Sequence, residues 1–243
     1  MTPALVLEPS APLGAARLAL ETHLCVRVPR TFDATTCAEM VRGVYASREE
    51  WTHDFDGEQF CLGRAWYTHL ETDRVAEYFA DAAATDARVE KYCPGLQRRM
   101  RELIGRAIGA SVVARRGFCG PGVHVFPAGG WVAENGGEIH FDTEGLAPAH
   151  ARARNPAITC VLMLQPPESG GALRLWDTSY AGSDAVTDAM VERPSYDADY
   201  QLGELVILDS YRLHQIQPFG GALDRVSATC HAAYVAGQWE AWF

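Results

Sequence analysis

The sequence predicts an α+β chain, and two observations carry that prediction. Apolar residues recur at helical spacing only in the first 110 of the 243 residues. From about Ser111 the texture changes to short runs rich in Val, Ile, Leu and Phe, separated by Gly, Pro, Asn and Asp clusters. Eight such runs with turn signals between them point to a double-stranded β-helix core (a jelly roll, cupin-like), with N-terminal helices buttressing one sheet. No internal repeat or low-complexity linker interrupts the chain. Residues 1–243 therefore read as a single domain, with 1–110 mainly helical support and 111–243 the core.

The helices follow from periodicity. Thr36 and Glu39 form a capping box, after which Cys37, Met40, Val41, Val44 and Tyr45 keep helical spacing. A second helix is expected around Thr72–Ala83, with Val75, Tyr78, Phe79 and Ala82 on one face. The clearest follows Pro94, where Leu96, Met100, Leu103, Ile104, Ala107 and Ile108 form an apolar stripe. The candidate strands are Val112–Ala114, Val123–Phe126, Glu138–Phe141, Ile158–Gln165, Leu173–Trp176, Leu205–Leu208, Leu213–Gln217 and Arg225–Tyr234.

Composition narrows the function classes. A formal charge of −10 argues against nucleic acid, whose phosphates call for a basic face. The seven cysteines are scattered and form no CxxC pair, so a thiolate zinc site is not expected. No stretch is long and apolar enough to span a membrane. The first twenty residues lack the pattern of a signal peptide, so the reading is a cytoplasmic chain. Oligomeric state is not legible.

The chemistry concentrates in two places. In Glu138-Ile139-His140-Phe141-Asp142, residues two apart on a strand share a face, so His140 and Asp142 can aim at one point. About seventy residues later, His214 stands in an apolar strand. Two histidines and one carboxylate make a facial triad, which suits non-haem Fe(II) with open coordination positions. Any one of these residues alone would read as a hydrogen-bonded structural group. About ten residues beyond His214 comes Arg225, and on its strand Arg225, Ser227, Thr229 and His231 share one face while Val226, Ala228, Cys230 and Ala232 share the other. That polar face reads either as solvent-facing or as the lining of a barrel that holds a charged ligand. A guanidinium binds a carboxylate through two parallel hydrogen bonds, and Ser227 can add a third.

The ordered set of His140, Asp142, His214, Arg225 and Ser227 resembles the Fe(II)- and 2-oxoglutarate-dependent oxygenases. Gly170-Gly171-Ala172-Leu173, Gly203–Leu208 and the aromatic tail Trp239–Phe243 also resemble features of that family. The likeness covers about Val112 to Phe243. It implies iron held by His140, Asp142 and His214, with 2-oxoglutarate as cosubstrate and its far carboxylate on Arg225 and Ser227. O2 would be the oxidant, and the product a hydroxylated C–H bond with succinate and CO2. It also implies that Asp142 disfavours halogenation, since related halogenases carry a small residue there; desaturation, ring closure and epimerisation stay open.

Further residues are candidates for substrate contact. His124 and Phe126 share a strand face, and His124 can equally be a core histidine. Trp131 and Glu134 lie in the glycine-rich segment Ala128–Gly137, a lid or a plain connection. Glu144, just after the HxD, could meet an amine or solvent. Arg174 and Trp176 alternate with Leu173 and Leu175, so one pair faces the cavity. Tyr211 and Arg212 precede His214. His231 lies about 20 Å along the strand from Arg225 and is not taken as a ligand. The leading expectation is a hydroxylase of a small polar metabolite such as an amino acid. The alternatives are a peptide or protein-residue hydroxylase of the same class, a cupin-like dioxygenase without 2-oxoglutarate, and a non-catalytic binding module.

Overall fold

The computed structural model describes residues 1–243. In chain order its strands are β1 (Thr2–Val6), β2 (His23–Val28), β3 (Thr52–Asp54), β4 (Gln59–Leu62), β5 (Val112–Ala114), β6 (Gly122–Phe126), β7 (Ala157–Gln165) and β8 (Ser169–Gly170). They continue as β9 (Leu173–Ser179), β10 (Ser195–Ala198), β11 (Leu205–Asp209), β12 (Arg212–Ile216), β13 (Phe219–Gly220), β14 (Arg225–Val235) and β15 (Gln238–Trp242). The large sheet runs β1-β2-β11-β7-β14-β6-β4-β3, with β15 on the far end of β14 and β5 on β15. A smaller sheet runs β10-β9-β12. Beside β12 lies the stretch around His140, joined by a single antiparallel bridge between His140 and His214.

Side-chain alternation sorts the large sheet into two faces. On β14, Val226, Ala228, Cys230 and Ala232 pack with Leu162 and Leu164 of β7 and Leu205 and Ile207 of β11. The same cluster takes in Met40 and Val44 of the helix Ala34–Ala46, Val89 of Val75–Tyr92, and Met100 and Ile104 of Leu96–Ile108. The opposite face faces the small sheet: Met163, Val206 and Leu208 pack on Leu173 and Leu175. One face is thus all apolar under helices. The other is apolar at the β11 end and carries Arg225, Ser227, Thr229 and His231 along β14, all buried or nearly so. Of the two readings open for that polar face, the interior one holds.

The helix after Pro94 buries its stripe as expected and lies between glycines with positive φ, Gly95 and Gly109. It is held by burial, at about 1.5–3 kcal/mol for each large side chain taken fully from water. Gly43 is where the first long helix meets the second: a Cβ there would stand 1.8 Å from the Tyr92 carbonyl oxygen.

Several expectations need correction. The cap of the first long helix is Asp33, whose side chain accepts from the Thr36 amide, so Thr36 and Glu39 lie inside the helix. The second helix runs to Tyr92, because its polar second half is carried by packing of Thr85 and Val89. The first 110 residues also supply four strands to the large sheet. These are short or edge strands, and β2 and β4 join the sheet through partners far along the chain, β11 and β6, which local periodicity cannot register. The segment Ala128–Gly137 contains a short helix, Trp131–Asn135. Glu138–Phe141 forms one bridge and no regular strand.

Candidate metal centre and its cavity

The His140–His214 bridge is built from paired backbone hydrogen bonds of 3.1 and 3.0 Å, and Asp142 is tied by its amide to Ser210 O at 2.9 Å. These bonds set the two imidazoles side by side, ring centroids 4.3 Å apart, with the carboxylate beneath them. His140 Nδ1 lies 2.9 Å from Glu138 O, and His214 Nδ1 lies 2.8 Å from Arg212 O. A carbonyl only accepts, so each Nδ1 carries a proton and each Nε2 is the nitrogen left to face a metal. Those two Nε2 atoms stand 3.4 Å from Asp142 Oδ1 and Oδ2 respectively. The three ligand atoms lie within 4.8 Å of one another. Fixing the tautomer through the far nitrogen is how metal-ligating histidines are normally oriented. The donor set, two imidazoles and one carboxylate on one side of a cavity, fits iron(II).

Asp142 is further held by Thr159, whose hydroxyl lies 2.6 Å from Oδ2. Thr159 also lies 3.0 Å from Ser210 Oγ and 3.1 Å from His231 Nδ1. It has one proton to give, and the carboxylate can only accept, so Ser210 and His231 donate to Thr159. His231 comes within 4.0 Å of Asp142. Separation from Arg225 along the strand says nothing of the other layer, which brings Asp142 over the far end of β14. Burial works against the Asp142 charge, yet His214, His231 and His140 hold its carboxyl well below the usual range.

At the near end of β14, Arg225 is 1% exposed. Its Nε donates to Gly171 O at 3.4 Å and its Nη1 to Ser227 Oγ at 3.1 Å. Its guanidinium lies over Phe126 at 5.6 Å and Tyr200 at 5.1 Å. No carboxylate pairs with it. A buried guanidinium stays charged and costs several kcal/mol uncompensated, so this arrangement calls for an anionic ligand. The Tyr200 hydroxyl, buried beside it, has no hydrogen-bond partner in the chain. Tyr200 escaped the sequence reading because it follows β10 and no pattern links it to Arg225. His124 sits between these regions, buried, with Nδ1 3.2 Å from Cys61 Sγ and its ring against Phe243. Burial, then the positive charges of His231 and Arg225, push it down to about 3, so its ring is neutral.

A cavity of about 480 Å³ opens onto His140 and Asp142. Phe126, Trp131 and Glu144, all expected near a substrate, line it. So do residues that the sequence did not single out: Phe55, Asp56, Gln59, Tyr67 and Glu71 from the first half, and Glu138. The five from the first half come from the β3–β4 hairpin, whose tip residues Phe55 and Asp56 both have positive φ, and the adjoining short helix Trp66–Glu71. Arg174 and Trp176 do not reach this cavity. Leu173 and Leu175 take the inward face of β9, so Arg174 pairs with Asp197 at 2.7 Å on the outside. Trp176 packs on Phe141 and Leu213, with Nε1 on Val191 O. Tyr211 is likewise off the cavity, with its hydroxyl on Asn155 O and its ring near Tyr180.

No family model matches the chain, and no curated protein matches it. Solved structures do resemble it. One, from Burkholderia pseudomallei, is described as an oxidoreductase of the 2OG-Fe(II) oxygenase family; it shares 14% identity over 98% of both chains at a TM-score of 0.51. A prolyl hydroxylase from Trichoplax adhaerens, solved with a peptide of a hypoxia inducible factor, shares 14% identity over 88% of this chain and 85% of its own, at 0.52. The non-haem alpha ketoglutarate-dependent epimerase SnoN of nogalamycin biosynthesis shares 15% over 86% of this chain and 78% of its own, at 0.53. At such identities the likeness is one of fold: the chain has the fold on which these oxygenases are built.

Proposed function

We propose that this chain is an Fe(II)- and 2-oxoglutarate-dependent oxygenase that hydroxylates an unactivated C–H bond of a small polar metabolite such as an amino acid. The observation that carries the reading is the pairing of two sites on one sheet face. A tautomer-fixed His-Asp-His cluster lies at one end, and a buried guanidinium without an anion lies at the other. The strand order supports a jelly-roll core within one domain: β6-β14-β7-β11 faces a second layer of the His140 segment, β12, β9 and β10.

His140 and His214 would hold iron through Nε2, and Asp142 through a carboxylate oxygen. When bound, iron with 2-oxoglutarate and O2 supplies the oxidising power for the C–H bond, with succinate and CO2 released. The chain's own tasks are positional. Arg225, Ser227 and Tyr200 bind the far carboxylate of the cosubstrate. Thr159 fixes the rotation of Asp142. The aromatic side chains of the cavity exclude water and hold the target carbon beside the triad.

A peptide substrate is the second reading, favoured by the partly open cavity bordered by the half-exposed Trp131. The test is anaerobic addition of Fe(II) and 2-oxoglutarate to metal-free protein. The weak visible band of an iron-bound 2-oxo acid should appear, vanish in His214→Ala, and need far more 2-oxoglutarate in Arg225→Ala. Iron binding without that band would overturn the assignment of the cosubstrate.

A further inference from the structure

We infer, resting on the oxygenase reading above, that the cavity selects a substrate bearing a cationic amine or guanidine group, which Glu71, Glu138 and Glu144 hold beside the triad. Five carboxylates besides Asp142 line this cavity (Asp56, Glu58, Glu71, Glu138 and Glu144), and no lysine or arginine does. None of the five makes an ion pair or a side-chain hydrogen bond, although elsewhere in the chain acidic groups are regularly matched, as in Arg27–Glu204 and Arg74–Asp54. They come from two directions. Asp56, Glu58 and Glu71 are supplied by the β3–β4 hairpin and the Trp66–Glu71 helix, while Glu138 and Glu144 flank the metal ligands.

The reaction centre would not neutralise them. Iron(II) and Arg225 together match the charges of Asp142 and a doubly charged 2-oxoglutarate, so the wall carboxylates remain unbalanced. Burial, and after it the like charge of Glu138, push the Glu71 carboxyl above its ordinary value. An independent feature also points to a donor-bearing ligand. Gln59 lines the cavity at 5% exposure; its Nε2 donates to the Tyr67 hydroxyl at 2.7 Å, and its Oε1 accepts from no group of the chain. Phe55, Tyr67 and Trp131 supply aromatic faces in the same wall, surfaces to which cations are drawn.

The same cation could belong to a free metabolite or to an arginine or lysine side chain of a peptide. The test is calorimetric titration of the anaerobic complex with Fe(II) and 2-oxoglutarate, which reads binding without turnover. The probes are agmatine and cadaverine, the peptide Gly-Gly-Arg-Gly-Gly, neutral 1,5-pentanediol and anionic hexanoate. At least one cationic probe should bind at least about tenfold more tightly than the neutral and anionic ones. Glu71→Gln and Glu138→Gln should each weaken it by about tenfold, the scale of one charge-assisted hydrogen bond. Glu8→Gln, an exposed residue outside the cavity, should change nothing. Tight binding of agmatine or cadaverine assigns a metabolite, and binding of the peptide alone assigns a side chain; both support the inference. If the iron–2-oxoglutarate band forms and no cation is preferred, or if the two glutamine variants bind as wild type, the inference falls and the oxygenase reading stands. If the band never forms, both fall.

Discussion

Thr159 on β7 gives its hydroxyl proton to Oδ2 of Asp142 across 2.6 Å, while Ser210 and His231 donate into the same hydroxyl. The carboxylate is thereby aimed from the large sheet although it belongs to the opposite layer. Thr159→Val removes the donor at nearly constant shape. Iron affinity should fall by about 10–100-fold, the usual cost of losing an outer-shell partner of a ligand, with little change in fold. Anaerobic metal titration measures it, and unchanged affinity would show that Asp142 is oriented by other means.

Arg225 and Tyr200 predict graded losses of 2-oxoglutarate affinity. Arg225→Ala leaves a buried carboxylate without its partner, at about 3–5 kcal/mol, or roughly two to four orders of magnitude in Kd. Tyr200→Phe removes one hydrogen bond to a charged group and should cost about tenfold. Titration of the visible band reports both. A Tyr200→Phe variant with wild-type affinity would mean that the orphan hydroxyl points past the ligand.

The two imidazoles proposed to hold iron should differ in protonation before it arrives. Burial disfavours the His140 charge, but the hydrogen bond and charge of Asp142 outweigh it and hold its value up at about 9. Burial takes His214 the other way, down to about 4. At pH 7 one ring is charged and one is neutral, so iron uptake should release about one proton. Iron affinity should therefore rise with pH until His140 is deprotonated. The sign for the metal-free fold is opposite: the His140 contribution is present below its ordinary value of 6.5 and is lost as pH rises through about 9. Calorimetry in buffers of different ionisation heat counts the proton; a count near zero or two would contradict this arrangement.

Gly43 predicts a stability effect that leaves the chemistry alone. A methyl group there meets the Tyr92 carbonyl oxygen at 1.8 Å, so the two helices must part. Gly43→Ala should cost about 1–3 kcal/mol and lower Tm by about 2–12 °C for a chain of this size. The iron–2-oxoglutarate band should persist in the folded protein.

How much of this was legible in the sequence depends on how each residue reaches its place. His140, Asp142 and Arg225 announced themselves through strand alternation and order along the chain, and the face shared by Arg225 and Ser227 is set by that period alone. Thr159, Tyr200 and Gln59 carry no such mark. A threonine in an apolar strand, a tyrosine after a turn and a glutamine in a short hairpin acquire roles only when distant strands meet. His231 shows the limit of one-dimensional distance, since strand rise placed it correctly relative to Arg225 and said nothing of the layer above. Arg174 fell on the wrong side because its two leucine neighbours, equally able to face either way, were claimed by the core between the sheets.

The sharing of one sheet between the two halves of the chain has a consequence for dissection. β2 hydrogen-bonds to β11 and β4 to β6, so residues before 110 occupy both flanks of the central strands β11-β7-β14-β6. A fragment beginning at residue 111 would contain every residue proposed to hold iron and 2-oxoglutarate yet present two bare edges of unpaired amides and carbonyls, with the apolar face of β14 stripped of its helices. Such edges recruit strands from neighbouring molecules, so the fragment should precipitate or form sheet-paired aggregates rather than a smaller enzyme.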